Sequence, residues 1–192
     1  MKYLLMDSEY CSMGRWISWI VAEKFNMKMY EAEDIADNIE WLGKEKLNNF
    51  YARIACMEIE DIKKDAEFIK IKEALTQKTL EMTKDNDCII HEMCATEFIS
   101  KEHEVIRVML YCDDMEGKIK RARTDIARFP GIETASKEEV MKHIELQDLG
   151  RSKYHDACSE KKYGVKENYD ICINSGLFGK EKSAQILLEA VR

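Results

Sequence analysis

The sequence is poor in residues that break regular structure. It has one proline, Pro130, and eight glycines spread over 192 residues. That excludes a Pro/Gly-rich disordered linker and leaves a chain that favours helix. No apolar run approaches the ~20 residues that span a bilayer, so no membrane partner is expected. The seven cysteines (11, 56, 88, 94, 112, 158 and 172) contain no Cys-x-x-Cys pair, and their number is odd. Free thiols in a reducing compartment are the simple reading. The four histidines have no partner at metal-ligand spacing, so no metal site is expected from the Cys/His set. Net charge is −7, which argues against a broad nucleic-acid surface. The opening Met-Lys-Tyr-Leu-Leu-Met-Asp turns acidic too early for a secretion signal, and a cytoplasmic location is expected.

What is present is an alternation of strands and helices. Tyr3-Leu4-Leu5-Met6 reads as a short buried strand, followed by a loop and a helix carrying Ile17, Ile20, Val21 and Phe25 at helical spacing. Residues 31 to 83 read as consecutive helices with breaks near Gly43 and 57–61. Further strands are expected at 88–90, 105–112 and 169–174. Helices are expected at 115–128, ending before Phe129-Pro130-Gly131, from the capping box Ser136 to Glu139 onward, and at 180–191. Apolar strands alternating with helices predict a parallel sheet covered on both faces, with ligands at the carboxyl ends of its strands.

Four stretches carry candidate chemistry. Residues 10–16, "YCSMGRW", join the first strand to the first helix. A phosphate loop needs inward-turned backbone N–H groups and a cation at such a place, and Gly14-Arg15 supplies a glycine and a cation. An ordinary strand-to-helix turn fits the loop equally well on its own. Asp148, Arg151 and Tyr154/His155 share one face of the capped helix, as an arginine closing over a transferring group or as a solvated Asp–Arg pair. Lys118, Lys120, Arg121 and Arg123 form a basic run, with Arg121 the candidate to reach phosphates. In "IIHEMCATE", Glu92 and Glu97 are candidate acid/base or Mg²⁺ groups, while His91 and Cys94 lack a third member for a catalytic set.

Taken together these stretches resemble the cytidylate-kinase-like family of P-loop proteins. The family pattern Arg-Glu-Tyr-Gly-Ser-Gly-Gly-Arg-x-Ile-Ala is similar to Ser8-Glu9-Tyr10-Cys11-Ser12-Met13-Gly14-Arg15-Trp16-Ile17-Ser18. Residues 107–122 resemble its Glu-x-Arg-Ile-x-Arg helix, 148–155 its Asp-x-x-Arg-x-x-Tyr-Tyr segment, and 166–183 its closing strand and turn. Cys11 and Met13 stand where the family has glycine, which puts side chains where phosphate and a positive φ are expected. Glu92-Met93-Cys94-Ala95 stands for Gly-Arg-x-Ala, so Met93 replaces an arginine expected to hold an acceptor phosphate, and Glu31 replaces an aspartate.

The resemblance implies an α/β P-loop NTPase-type three-layer fold: about five strands, a mostly parallel sheet with helices on both faces, and a helical insert. The whole chain would be one domain, with an acceptor-site insert at about 31–83 and a lid-like region at about 136–165. It implies ATP-dependent phosphoryl transfer to a nucleoside monophosphate such as CMP or dCMP, or to a related small acceptor, with ATP and Mg²⁺. Cys11, Ser12, Met13, Gly14, Arg15 and Trp16 would hold the donor. Arg15, Arg121 and Arg151 would stabilise the transferring group, Asp148 would orient Arg151, and Glu31 and Tyr154 would meet the acceptor. The alternative is a catalytically degenerate P-loop protein that binds a nucleotide or anion, or serves as an oligomeric or partner-binding module.

Overall fold

The computed structural model describes residues 1–91, 94–99, 102–124 and 131–191. Its strands are β1 Lys2–Ser8, β2 Lys28–Glu31, β3 Cys88–His91, β4 Glu104–Tyr111 and β5 Ile171–Asn174. They form a sheet in the order β2-β3-β1-β4-β5, with every neighbouring pair parallel. The helices are α1 Gly14–Phe25, α2 Ala32–Asp37, α3 Gly43–Ile54, α4 Ile59–Ile62, α5 Ala66–Thr83, α6 Met115–Ala122, α7 Lys137–Cys158 and α8 Ser175–Ala190.

The sheet is buried on both faces, which is why its strands read as continuous apolar runs. Along β1, Tyr3 and Leu5 enter the core shared with α2, α3 and α5, while Leu4 and Met6 enter the opposite core with α1 and α8. β1 is central, with β3 on one side and β4 on the other. The loop leaving its carboxyl end therefore lies where ligands bind in open α/β sheets.

The expected elements are present with adjustments. β2 is an additional strand, paired with β3 so that Glu31 lies beside His91. The helical stretch runs from α2 through α5, and α4 occupies the expected break at 57–61. The capping box at α7 forms, with Ser136 Oγ accepting from Glu139 N–H at 3.2 Å and Glu139 Oε2 accepting from Ser136 N–H at 2.7 Å. The last helix starts earlier than expected, at Ser175, and is kinked at Gly179. The Phe129-Pro130 stop signal lies outside the described residues.

α7 crosses closely over α3. A Cβ added at Gly150 would lie 2.6 Å from the carbonyl oxygen of Tyr51, so only glycine lets the two backbones approach this far. α7 is thus seated on the helical stretch that follows β2.

Candidate functional site

The loop from β1 to α1 is tied on several sides. Glu9 N–H donates to Leu110 O at 3.0 Å, Ser12 N–H to Glu9 O at 3.1 Å, and Tyr10 N–H to Asp148 Oδ1 at 2.5 Å. Cys11 and Met13 sit at φ 60° and 66°, in the left-handed region. This conformation costs an L-residue about 1–2 kcal/mol, and it is the one a glycine at these positions would adopt freely. Left-handed residues in such a turn aim successive N–H groups to one side, the geometry of an anion nest.

The two side chains do not occupy that space alone. Met13 packs against the core of Leu4, Met6 and Ile17, and Cys11 packs against Tyr10 and Ile119 on the other flank. Each still borders the cavity, but each has an apolar seat. The positive φ expected at these two positions is present although neither is glycine.

α1 then opens without a side-chain cap and without an acidic residue in its first turn. Its ladder begins with Ile17 N–H on Met13 O at 3.0 Å, so the N–H groups of Gly14, Arg15 and Trp16 precede it. A Cβ at Gly14 would fall 2.7 Å from both His91 Nε2 and Ser8 Oγ, so glycine is required by space.

Three arginines converge on this loop. Arg121 Nε donates to Cys11 O at 2.6 Å and its Nη2 lies 3.1 Å from Cys112 Sγ. Arg151 Nη1 donates to Ser8 O at 3.1 Å, and its guanidinium lies 5.4 Å from the centre of the Tyr10 ring. Arg15 Nη2 reaches Glu31 Oε2 at 3.3 Å. All three border a cavity of about 620 Å³ that is also lined by residues 8–14, Trp16 and Trp19. It is further lined by Met29, Glu31, Glu33, Asn48 and Tyr51, by His91 next to Gly14 and by Gln147 on α7. Trp16 is 59% exposed and borders the cavity.

Beneath the loop lies an ionic cluster. Lys118, only 4% exposed, pairs with Asp148 Oδ2 at 2.7 Å and Glu9 Oε2 at 3.2 Å. Glu9 Oε2 also accepts from Cys112 N–H at 2.9 Å. Burial pushes the Asp148 carboxyl up, opposed by Lys118 and the Tyr10 N–H. Asp148 thus supports the loop from below, through Tyr10 and Lys118, and does not border the cavity. Tyr163 adds a further tie, its hydroxyl donating to Ser8 O at 2.7 Å.

The structure does not bring Tyr154 to the cavity. Its ring packs edge-on against Phe50, Tyr51 and Phe68, inside the α3/α5 core. Burial pushes its hydroxyl well above the ordinary range. The α7 face that carries Arg151 toward the loop turns Tyr154 inward by one helical turn. Cys94 is likewise a packing residue: its hydrogen bond to Cys158, then burial, pushes the thiol well above its usual range. Glu97 Oε1 accepts from Ser159 Oγ at 2.8 Å, away from the cavity. Glu92 and Met93 lie outside the described residues.

The donor set suits a phosphate chain: free helix-start N–H groups, left-handed turns and arginines on one cavity wall. It suits a bound metal less well. After its cation a phosphate loop ordinarily carries a serine or threonine hydroxyl for Mg²⁺, and here that position is Trp16. Among the described residues no three His, Cys, Asp or Glu side chains lie together as a metal site.

Sequence would have shown Lys118 and Arg121 as the inward pair of the basic run, because they are three apart on α6 with Ala122 beside them. Glu33, Asn48, Tyr51 and Trp19 carried no local signal.

The fold is shared with solved proteins. An uncharacterized protein from Eubacterium ventriosum matches with TM-score 0.71 and 18% identity, covering 100% of this chain and 98% of that one. Shikimate kinase from Bacteroides thetaiotaomicron matches with TM-score 0.60 and 10% identity, over 98% and 97% of the two chains. Shikimate kinase from Acinetobacter baumannii, solved with shikimate, gives 0.52 and 12%, over 98% and 92%. No curated protein sequence matches the chain. The model of the cytidylate kinase-like family matches residues 6–177, nearly the whole length over which the sheet, the loop and the three arginines are built, and the chain belongs to that family.

Proposed function

We propose that this protein transfers a phosphoryl group from ATP to a small acceptor held in the cavity between the β1–α1 loop and the β2–α3 wall. Family membership and a kinase fold support phosphoryl transfer to a small substrate as the general class. The observation that carries the specific reading is the convergence of Arg15, Arg121 and Arg151 on the loop that begins α1. Phosphoryl transfer requires little covalent chemistry from a protein; positioning and charge stabilisation do most of it. Backbone N–H groups at the start of α1, those of Gly14, Arg15 and Trp16, hold the donor phosphates, and Arg15 leaves Glu31 to meet them. Arg121 and Arg151 already lie at the loop and face the transferring group. Mg²⁺, when it accompanies ATP, supplies further neutralisation of phosphate charge; the chain's own contribution is its arginines and amides.

In this reading α2–α5 cover the acceptor and α7 carries Arg151 over the loop, the insert and lid of the domain. Asp148 acts as a positioning residue through Tyr10. The working location is the cytoplasm, where ATP is available, and the protein acts on small molecules without nucleic acid or membrane. A second reading, nucleotide binding without transfer, is favoured by one observation, Trp16 in place of a metal-binding hydroxyl.

Two measurements test the proposal. ATP, with and without Mg²⁺, is expected to raise the melting temperature, since a ligand of the folded state adds about 2.7 kcal/mol at a hundredfold excess over Kd. Radiolabelled γ-phosphate is then followed onto acceptors, with CMP and dCMP as the benchmarks the family name suggests. ATP binding without transfer to any acceptor selects the second reading; no ATP binding at millimolar concentration contradicts both.

A further inference from the structure

We infer that Trp19 is a binding residue of the acceptor site: with Met29 it forms a shelf on which a planar aromatic ring of the acceptor stacks. The inference rests on the phosphoryl-transfer reading of the cavity and names a residue that selects the acceptor.

The cavity extends past the place where phosphates bind. Its phosphate-binding end is the start of α1, at the N–H groups of Gly14, Arg15 and Trp16. It also reaches Trp19, about one turn further along α1, and Met29 on β2. A helical turn advances about 5.4 Å. A ligand that fills the cavity therefore has a part beyond its phosphates, lying along the flank of α1.

Helical spacing decides which flank this is. Arg15 and Trp19 are four residues apart and share one side of α1. Arg15 reaches Glu31, the last residue of β2, at 3.3 Å. A helix that joins two parallel strands runs back against them, so the turn after Arg15 lies over an earlier point of β2. Met29 is two residues before Glu31, on the same face of the strand, and packs against the core that α1 covers. Trp19 and Met29 thus flank the β2 side of the cavity, which α2 and α3 close. The other side of α1 faces α8, where Lys180 Nζ stands 5.5 Å from the centre of the Trp16 ring.

Trp19 has no packing role that accounts for its size. Its side chain is 52% exposed, although it borders the cavity. The other two tryptophans carry cations on their rings: Lys180 at Trp16, and Lys46 and Lys70 at Trp41. Among the described residues no ring or cation lies over Trp19. An indole beside a thioether presents an apolar, polarisable surface. The face of an aromatic ring gains most from such a surface, as bases do when they stack on aromatic side chains. The ring is the acceptor's because the shelf lies on the β2 side, away from α8.

The test uses the full chain as wild type, Trp19→Ala and Trp19→Phe, each saturated with a non-hydrolysable ATP analogue whose affinity is measured first. Failure of the analogue to bind wild type defeats the transfer reading itself, and is thereby distinguished from failure of the shelf. CMP, AMP, cytidine and adenosine are then titrated by calorimetry beside ribose 5-phosphate and ribose, which lack the ring. At least one ring-bearing ligand is expected to bind wild type, to bind Trp19→Ala at least about tenfold more weakly, and to bind Trp19→Phe within about threefold of wild type. The ATP analogue and the ring-free ligands are expected to show the same affinity, or the same absence of binding, in all three proteins. The inference is overturned if no ring-bearing ligand binds, or if Trp19→Ala binds them as wild type does. It is also overturned if ring-bearing and ring-free ligands weaken alike, which marks a packing role. Weakening confined to the ATP analogue overturns it too, because the stacked ring would then be the donor's.

Discussion

Lys118 Nζ lies 2.7 Å from Asp148 Oδ2, a pair buried directly beneath the loop that joins β1 to α1. It ties α6 to α7, and through Tyr10 N–H and Glu9 it holds both ends of the loop's first turn. Asp148 is partly exposed and Lys118 keeps Glu9 as a second partner, so removing one member costs less than the fully buried case, about 1–3 kcal/mol. Lys118→Met and Asp148→Asn are each expected to lower the melting temperature by roughly 2–4 °C per kcal/mol lost. The double variant Lys118→Met/Asp148→Leu is expected to recover part of that loss, which a thermal double-mutant cycle reads directly.

Gly14 faces His91 and Ser8 at distances no Cβ tolerates. Both neighbours are buried, so neither side chain moves aside cheaply. Gly14→Ala is expected to cost about 1–3 kcal/mol as overpacking, and to weaken ATP binding beyond that, because the start of α1 must shift. Melting curves with and without ATP separate the two effects.

Cys11 and Met13 carry left-handed backbone without being glycine. Replacing Met13 by glycine relieves about 1 kcal/mol of backbone strain and removes packing against Leu4, Met6 and Ile17. The net change in stability is expected to be small, with the loop shape retained and ATP affinity within about threefold of wild type. Met13→Val, which places a β-branched residue at positive φ, is expected to destabilise clearly. Calorimetric titration of ATP into both variants checks this.

At the other end of the sheet, Arg107 holds Asp170 in a bidentate pair along one guanidinium edge, Nε donating to Oδ2 at 3.0 Å and Nη2 to Oδ1 at 2.7 Å. The hydrogen bond from Arg107 holds the Asp170 carboxyl below its ordinary 3.8. A carboxyl with a lowered folded value contributes stability that is present above its unfolded value and lost as pH falls through the folded one. Because the pair is partly exposed, the contribution is modest, of the order of 1 kcal/mol. Asp170→Asn is expected to lower stability at pH 7 and to converge on wild type only as pH falls through the folded value, which lies below 3.8, seen in denaturant titrations from neutral to acid pH.

Much of this was legible in the chain. The run Tyr3-Leu4-Leu5-Met6 announces a strand buried on both faces because every one of its side chains is apolar. The loop position and the capping box at Ser136 also followed from local pattern, while Arg15, Arg121 and Arg151 were brought together only by the family resemblance. β2 did not: Lys-Met-Tyr-Glu is four residues long, with no β-branched side chain, and its strand character comes from pairing with β3. Tyr154 was misplaced for a related reason. Its spacing from Arg151 puts both on one broad face of α7, and only the aromatic cluster on α3 and α5 decides which of them turns inward. The buried role of Asp148 depended on Lys118, thirty residues away in sequence.

The central claim is that the loop holding Cys11 and Met13 still cradles phosphate. Titration of ATP into wild type and Arg15→Ala by calorimetry tests it most directly. Wild type is expected to bind ATP saturably at 1:1, and Arg15→Ala to bind at least about tenfold more weakly, the loss of one charge-assisted phosphate contact. Absence of binding to wild type at millimolar ATP, or equal affinity in the two proteins, would contradict it.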